Sequence, residues 1–181
     1  AENDYRVLKS AVIGTTNEFL TDFSESDLGR PKEQFMFEGR NFSRSSLNYL
    51  MGLAALGKFV DLRSLNNILE IGGGFGTLGE ITNNLWGKDL KYLNIDLPPI
   101  CNIADFYLEN LCKDFIGVKR LVHQSQITIN DLSRLNVAPN WKIKDLTGQI
   151  DLFVNMISFQ EMEKEVVENY LNYVTALRPK F

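Results

Sequence analysis

Asn67-Ile68-Leu69-Glu70-Ile71-Gly72-Gly73-Gly74-Phe75-Gly76-Thr77-Leu78-Gly79-Glu80 is the stretch that decides the fold, and it reads as strand, glycine turn and helix. Ile68, Leu69 and Ile71 form a short apolar run of the kind buried in a parallel sheet. Four glycines in the five residues Gly72 to Gly76 then let the backbone turn sharply and approach a ligand with no Cβ in the way. Leu78, Ile81 and Leu85 recur at helical spacing, so a helix spans Thr77 to Trp86 and its free N–H groups and positive dipole end face the turn. Such a site suits a carboxylate, a phosphate or the polar edge of a cofactor.

The run satisfies two fingerprints. Gly74-x-Gly76-x-x-Gly79, with Asp96 about 20 residues on, matches the dinucleotide pattern of an NAD-binding oxidoreductase. In the register where the first glycine directly follows the strand, Gly72 and Gly74 fit but the third place is Thr77. Glu70 separates the two readings. A carboxylate inside a buried strand is costly unless something nearby needs it, and a nicotinamide site has no such need. The cationic amino-acid end of a sulfonium cofactor such as S-adenosylmethionine does, met directly or through water and backbone donors.

The acid-x-Gly-x-Gly-x-Gly of Glu70 to Gly76, with the strand-end acid of Tyr92-Leu93-Asn94-Ile95-Asp96, resembles the first two motifs of class I S-adenosylmethionine-dependent methyltransferases. Three blocks together resemble the bacterial family described as sugar O-methyltransferases: residues 69–78, Ile-Asp-Leu-Pro-Pro at 95–99, and Asp-Leu-Phe-Val-Asn-Met-Ile-Ser-Phe-Gln-Glu-Met at 151–162. The resemblance covers about residues 35 to 178. The first motif is shared across a superfamily, whereas Ser158-Phe159-Gln160-Glu161-Met162 is more specific. The resemblance implies an α/β, Rossmann-like sheet with the cofactor held by Glu70, Gly72, Gly73, Gly74, Gly76, Asp96, Leu97, Asn140 and Asn155. Asp96 would accept the ribose hydroxyls, Leu97 would pack on the adenine, and Asn140 would stand near the adenine amino group. The acceptor is expected to be a sugar or sugar-containing small molecule.

The 181 residues, 44% hydrophobic and 23% charged, are enough for one core. A net charge of −4 and a pI near 5.1 argue against a broad nucleic-acid footprint. No apolar run approaches the roughly 20 residues of a membrane span, and Ala1-Glu2-Asn3-Asp4 has no signal-peptide pattern, so a cytoplasmic location is expected. Cys101 and Cys112 fall on one predicted helix about 16 Å apart, too far to pair with each other within it, and buried reduced thiols are expected. No metal spacing is evident.

Residues 1–66 read as a helical cap and loop, and residues 67–181 as the cofactor domain. Tyr5, Leu8 and Val12 share a helical face, Gly14 to Asn17 interrupts it, and Phe19, Leu20 and Phe23 resume an apolar surface. Ser24 to Ser43 reads as a long aromatic loop, either a lid or a connector anchored to the core. Ser43 or Ser45 caps a helix through about Val60 that is apolar on most sides, Phe59 included. Lys91 to Ile95 is the second strand, followed by a helix opened by Pro98-Pro99, with Asp96 as its N-cap the alternative role for that residue. Arg134 to Ala138 is preferred over Gln126 to Asn130 as the third strand. Ile150 to Asn155 is the fourth, leading to a helix that ends near Leu177 and buries Met162, Val166, Tyr170, Val174 and Leu177. The resemblance implies the class I order 3-2-1-4-5-7-6, of which these four parallel strands would be the first four. Leu152-Phe153-Val154 would then be an exposed edge, which suggests a fragment, or a partner chain or second copy completing the sheet.

Methyl transfer from a sulfonium is largely a matter of placement. A sugar hydroxyl must also lose a proton. Glu161, after the fourth strand, is the first candidate base, with a helix-end charge as its alternative role; His123, the only histidine, is the second. A non-catalytic cofactor-fold module is the competing functional class. A base-methylating enzyme fits poorly, because Asn155 is followed by Met156-Ile157-Ser158 rather than a Pro-Pro-aromatic grip.

Overall fold

The computed structural model describes residues 1–87 and 89–181. Its centre is a five-stranded, wholly parallel sheet flanked by helices, an α/β, Rossmann-like architecture. In chain order the elements are α1 (Glu2–Val12), β1 (Phe35–Phe37), β2 (Arg40–Phe42), α2 (Arg44–Leu56), β3 (Asn67–Ile71), α3 (Thr77–Leu85), β4 (Lys91–Asp96) and α4 (Pro98–Leu111). There follow β5 (Phe115–Ile116), α5 (Val118–Leu121), β6 (Ile127–Thr128), β7 (Leu135–Pro139), β8 (Leu146–Thr147), β9 (Leu152–Val154) and α6 (Lys164–Ala176).

The sheet runs β5-β7-β4-β3-β9. Strands β3, β4, β7 and β9 are the four expected ones, in the expected 3-2-1-4 order. Two corrections follow. The sheet has a fifth member, β5, whose two residues pair with Leu135 and Asn136 and are too short to show any periodicity. The rejected stretch around residues 126–130 forms β6, which pairs with β8 in a separate small sheet.

The strands are buried on both faces. Ile68, Tyr92, Leu135, Val137 and Leu152 meet the core shared with α1 to α4, while Leu69, Ile71, Leu93, Ile95 and Ala138 meet the core shared with α6. This explains the near-continuous apolar runs of β3 and β4, since neither face is left to water. Each fully buried Leu or Ile contributes roughly 1.5–3 kcal/mol.

The N-terminal region differs in detail from its sequence reading. The aromatic loop contains a hairpin, β1 to β2, turned by Glu38 and Gly39 at φ +51° and +77°. Phe37 stacks on Tyr5 with centroids 4.8 Å apart, and Phe42 is fully buried, so these rings anchor the hairpin to α1. Ser43 is the N-cap of α2, in a reciprocal bond with Ser46. That helix ends at Leu56, and Phe59 lies beyond it in the open, because the chain turns at Gly57.

At the other end, Val166 is exposed on α6, while Tyr170, Val174 and Leu177 are buried as expected. The outer edge of β9 is not bare: Phe181 donates to Asp151 O (3.0 Å) and accepts from Phe153 N–H (3.0 Å), the bond pattern of a parallel neighbour. No helix among the described residues is long and apolar enough to cross a membrane.

Candidate cofactor and active site

The carboxyl ends of β3, β4, β7 and β9 lie side by side; Glu70 and Asp96 stand within the last residues of β3 and β4, and Gly72 to Gly76, Leu97, Asn140 and Asn155 follow the strand ends. Ile95 pairs with Ala138 and Asp96 with Pro139, so Leu97 and Asn140 leave the sheet next to each other. β3 gives way to the glycine turn, and β9 to Asn155.

The glycines of the turn have different neighbours. A Cβ on Gly72 would fall on Ser158 Oγ, and one on Gly73 would lie 2.5 Å from Glu70 Oε2 and 2.7 Å from Asn94 Oδ1. Gly76 and Gly79 are pressed against Leu108 and Tyr92. These glycines are required by packing. Gly74 is different: its φ is +58° and nothing stands within 4 Å of its missing side chain. This is the open position of the loop, and its N–H is held by Asp96 Oδ2 at 2.9 Å.

Asp96 therefore ties β4 to the loop. Its second oxygen accepts the N–H of Leu97 at 2.7 Å, and each oxygen keeps a lone pair for a hydroxyl donor. The N-cap of α4 is Leu97 rather than Asp96, which removes the alternative role for the acid. Leu97 is 55% exposed at the rim, free to pack on a flat ring.

Glu70 lies beneath the turn with no solvent exposure. Its oxygens accept the hydroxyls of Tyr49 (2.6 Å) and Tyr92. Burial pushes its carboxyl up from the ordinary 4.5 to about 7, against the lowering effect of the two tyrosine bonds. Burial also holds both tyrosines well above their usual range, with the Glu70 charge adding to it. Neighbouring Asn94 donates to Gly74 O at 3.1 Å, and its buried Oδ1 has no partner. Neither tyrosine was legible as a site residue, because the two lie 21 and 22 residues from Glu70 in sequence.

Asn155 is occupied by the protein itself. Its amide donates to Ile71 O (2.8 Å) and Ser158 Oγ (2.6 Å), and its Oδ1 accepts from Phe159 N–H (3.1 Å). Ser158 Oγ lies 3.2 Å from the same Ile71 carbonyl. The end of β9 is thereby knotted to the end of β3. Between the two, Ile157 adopts φ +78°, ψ −42°, an outlier for a β-branched residue that the surrounding bonds hold in place. Glu161 closes the 3-10 turn Ser158–Glu161 that follows; it is exposed, and its side chain has no hydrogen bond to protein among the described residues. His123 is exposed in the link from α5 to β6, and no hydrogen bond joins it to the glycine turn.

Asn140 is half-buried and opens a 3-10 turn that packs near α6, lining a pocket with Trp141 and Tyr170. Cys101 Sγ lies 3.2 Å from Asp96 O and 3.3 Å from Ala138 O, and burial pushes the thiol up to about 11. It is a protonated, inert thiol that stitches the ends of β4 and β7. Cys112 sits just beyond α4, and both cysteines are free. Among the described residues no three His, Cys, Asp or Glu side chains cluster as metal ligands.

No family model matches the sequence, and no curated protein matches it. Solved structures do. A mitomycin 7-O-methyltransferase aligns at 14% identity and TM-score 0.45 over 74% of this chain and 37% of its own. An N,N-8-amino-8-demethyl-D-riboflavin dimethyltransferase from Streptomyces davawensis aligns at 15% and 0.46 over 97% and 48%. A protein-L-isoaspartate O-methyltransferase aligns at 17% and 0.44 over 84% and 47%. The chain spans less than half the length of each. Similarity at this level speaks to neither substrate nor residue roles.

Proposed function

We propose that the chain binds S-adenosylmethionine and belongs to a methyltransferase that acts on a hydroxyl of a sugar or sugar-containing small molecule. The observation that carries the cofactor reading is Gly74: an unfilled, positive-φ position in a turn otherwise packed tight, held by the strand-end carboxylate of Asp96. In this reading the methionine end of the cofactor lies over Gly74, the ribose hydroxyls meet Asp96, and Leu97 and Asn140 flank the adenine. The buried Glu70 supplies negative charge beneath the cationic end. When bound, the cofactor supplies an electrophilic methyl group. The protein's own work is to orient the acceptor and take its proton, for which Glu161 is the first candidate and His123 the second. The sugar acceptor rests on the resemblance of residues 151–162.

Two variants test the cofactor site, both read by calorimetric titration with S-adenosylmethionine. Gly74→Val should weaken binding at least about tenfold, because a β-branched side chain fills the open position and strains the positive φ. Unchanged affinity would mean that the turn does not face the ligand. Asp96→Ala should cost about 1–3 kcal/mol of affinity, through the lost ribose bonds and the freed Gly74 N–H. A native affinity in that variant would remove Asp96 from the site.

A further inference from the structure

A second candidate site lies on the far side of Phe75, between the first loop and α4. It is a groove of about 280 Å³ walled by Leu28, Phe75, Ile103, Phe106 and Tyr107, with Glu25 also lining it. Ile103 is 56% exposed and Phe106 64%, a large apolar surface for two adjacent turns of one helix. Phe75 stands edge-on to Tyr107 with centroids 5.1 Å apart, so the aromatic wall is already assembled.

One acid, Glu25, lines the groove, and a second, Glu80, is bonded to its Tyr107 wall. Glu25 is only 5% exposed and Glu80 is fully buried. Glu80 accepts the Ser26 N–H and the Tyr107 hydroxyl, each at 2.7 Å. Glu25 spends one oxygen, Oε2, on the Ser43 N–H and the Ser46 hydroxyl at the start of α2. Its other oxygen has no hydrogen bond among the described residues and is not among the sealed, unpartnered polar atoms, and Glu25 is one of the residues that line the groove.

No Lys or Arg pairs with either acid among the described residues. Burial raises the pKa of Glu80, and the nearby Glu25 charge adds to the rise; the same two causes raise Tyr107, with the Glu80 bond between them in size. A carboxylate this buried is normally compensated by a cation. The α2 N-terminus compensates only the bonded oxygen of Glu25. The free oxygen of Glu25, on a residue that lines the groove together with Phe and Tyr side chains, is a half-built cation site.

We propose that this groove binds a small organic ammonium ion, its N–H donated to the free oxygen of Glu25 and its apolar body laid against Phe75, Ile103 and Phe106. An inorganic cation would leave the apolar walls unused, and a neutral apolar ligand would leave the carboxylate unpaired. Its acids make no hydrogen bond to Gly74 or Asp96, and Phe75 is the one wall residue it shares with the glycine turn.

The test is an NMR titration of the chain at neutral pH with benzylammonium chloride and, separately, with benzyl alcohol, following the Ile103 methyl groups and the Phe75 amide. Benzylammonium should give saturable shifts at both, with affinity in the millimolar range or tighter, and benzyl alcohol should bind at least about tenfold more weakly. Phe106→Ala, which removes a mostly exposed ring and spares the core, should weaken benzylammonium about three- to tenfold. Glu25→Gln should erase the preference for the charged probe. Should that variant fail to fold for want of its α2 contacts, the probe pair and Phe106→Ala decide alone. Equal affinity for the two probes, shifts confined to other residues, or no saturation by about 20 mM would overturn the assignment.

Discussion

Glu161→Gln is expected to lower methyl-transfer turnover by roughly 10²–10⁴ while leaving S-adenosylmethionine affinity nearly unchanged, the mark of a lost general base. The expectation rests on where the 3-10 turn holds this carboxylate. Ser158, at the start of the turn, and Asn155 before it are both fastened to the Ile71 carbonyl, at the root of the glycine turn. Glu161 is thus carried on a segment fixed to the proposed cofactor site, and it makes no bond with protein among the described residues that an acceptor hydroxyl would have to displace. The competing role, a charge at the start of α6, is weakened by position. The N-cap of α6 is Glu163 and the first-turn acid is Glu165, which leaves Glu161 outside the turn where the dipole acts. Stability should therefore change by less than about 0.5 kcal/mol. Turnover near the native value, measured with an acceptor for which the proposed methyl transfer is detected, would rule out Glu161 and move the role to His123.

Glu70→Gln is expected to be more stable than the native chain at pH 8, by on the order of 3 kcal/mol, and to flatten the dependence of stability on pH. The folded carboxyl titrates at about 7, against an ordinary 4.5. Between those values the folded chain holds a proton at Glu70 that the unfolded chain has released. The native stability contribution of this group therefore falls as pH rises through that window and is level above it. A neutral amide still offers an acceptor to one tyrosine and a donor to the other, so the pair stays satisfied without a buried charge. The same change should weaken S-adenosylmethionine about tenfold, because the cationic end loses the charge beneath the turn. Denaturant midpoints of both proteins from pH 4 to 8 make the check. A native-like pH profile in the variant would show that Glu70 is not the buried group that titrates.

The course of the main chain was legible because it rests on local patterns. Apolar runs bounded by glycine and proline placed β3, β4 and β9, and the preference for residues 134–138 over 126–130 placed β7. The misses have physical causes. β5 contributes only two residues, below any periodicity, and exists because β7 offers its edge there. The β1–β2 hairpin turns on Glu38-Gly39, where glycine was visible but a glutamate at positive φ carried no turn signal. In the site, the glycine turn, Asp96 and Leu97 stood out because motif spacing is a property of the sequence. The tyrosine pair on Glu70 did not, since it depends on α2 crossing β3 and on the register of β4 against β3. Asn155 was legible as a strand-end polar residue, but its full engagement by Ile71, Ser158 and Phe159 depends on the tight turn at Ile157.

Calorimetric titration of the purified chain with S-adenosylmethionine, and in parallel with NAD, tests the central claim most directly. The reading of Gly74, Asp96 and Glu70 requires one S-adenosylmethionine bound per chain, with no heat of binding from NAD at the same concentrations. Binding of NAD alone would return the turn to the dinucleotide reading. Binding of neither would contradict the account and leave a cofactor-type fold without its cofactor.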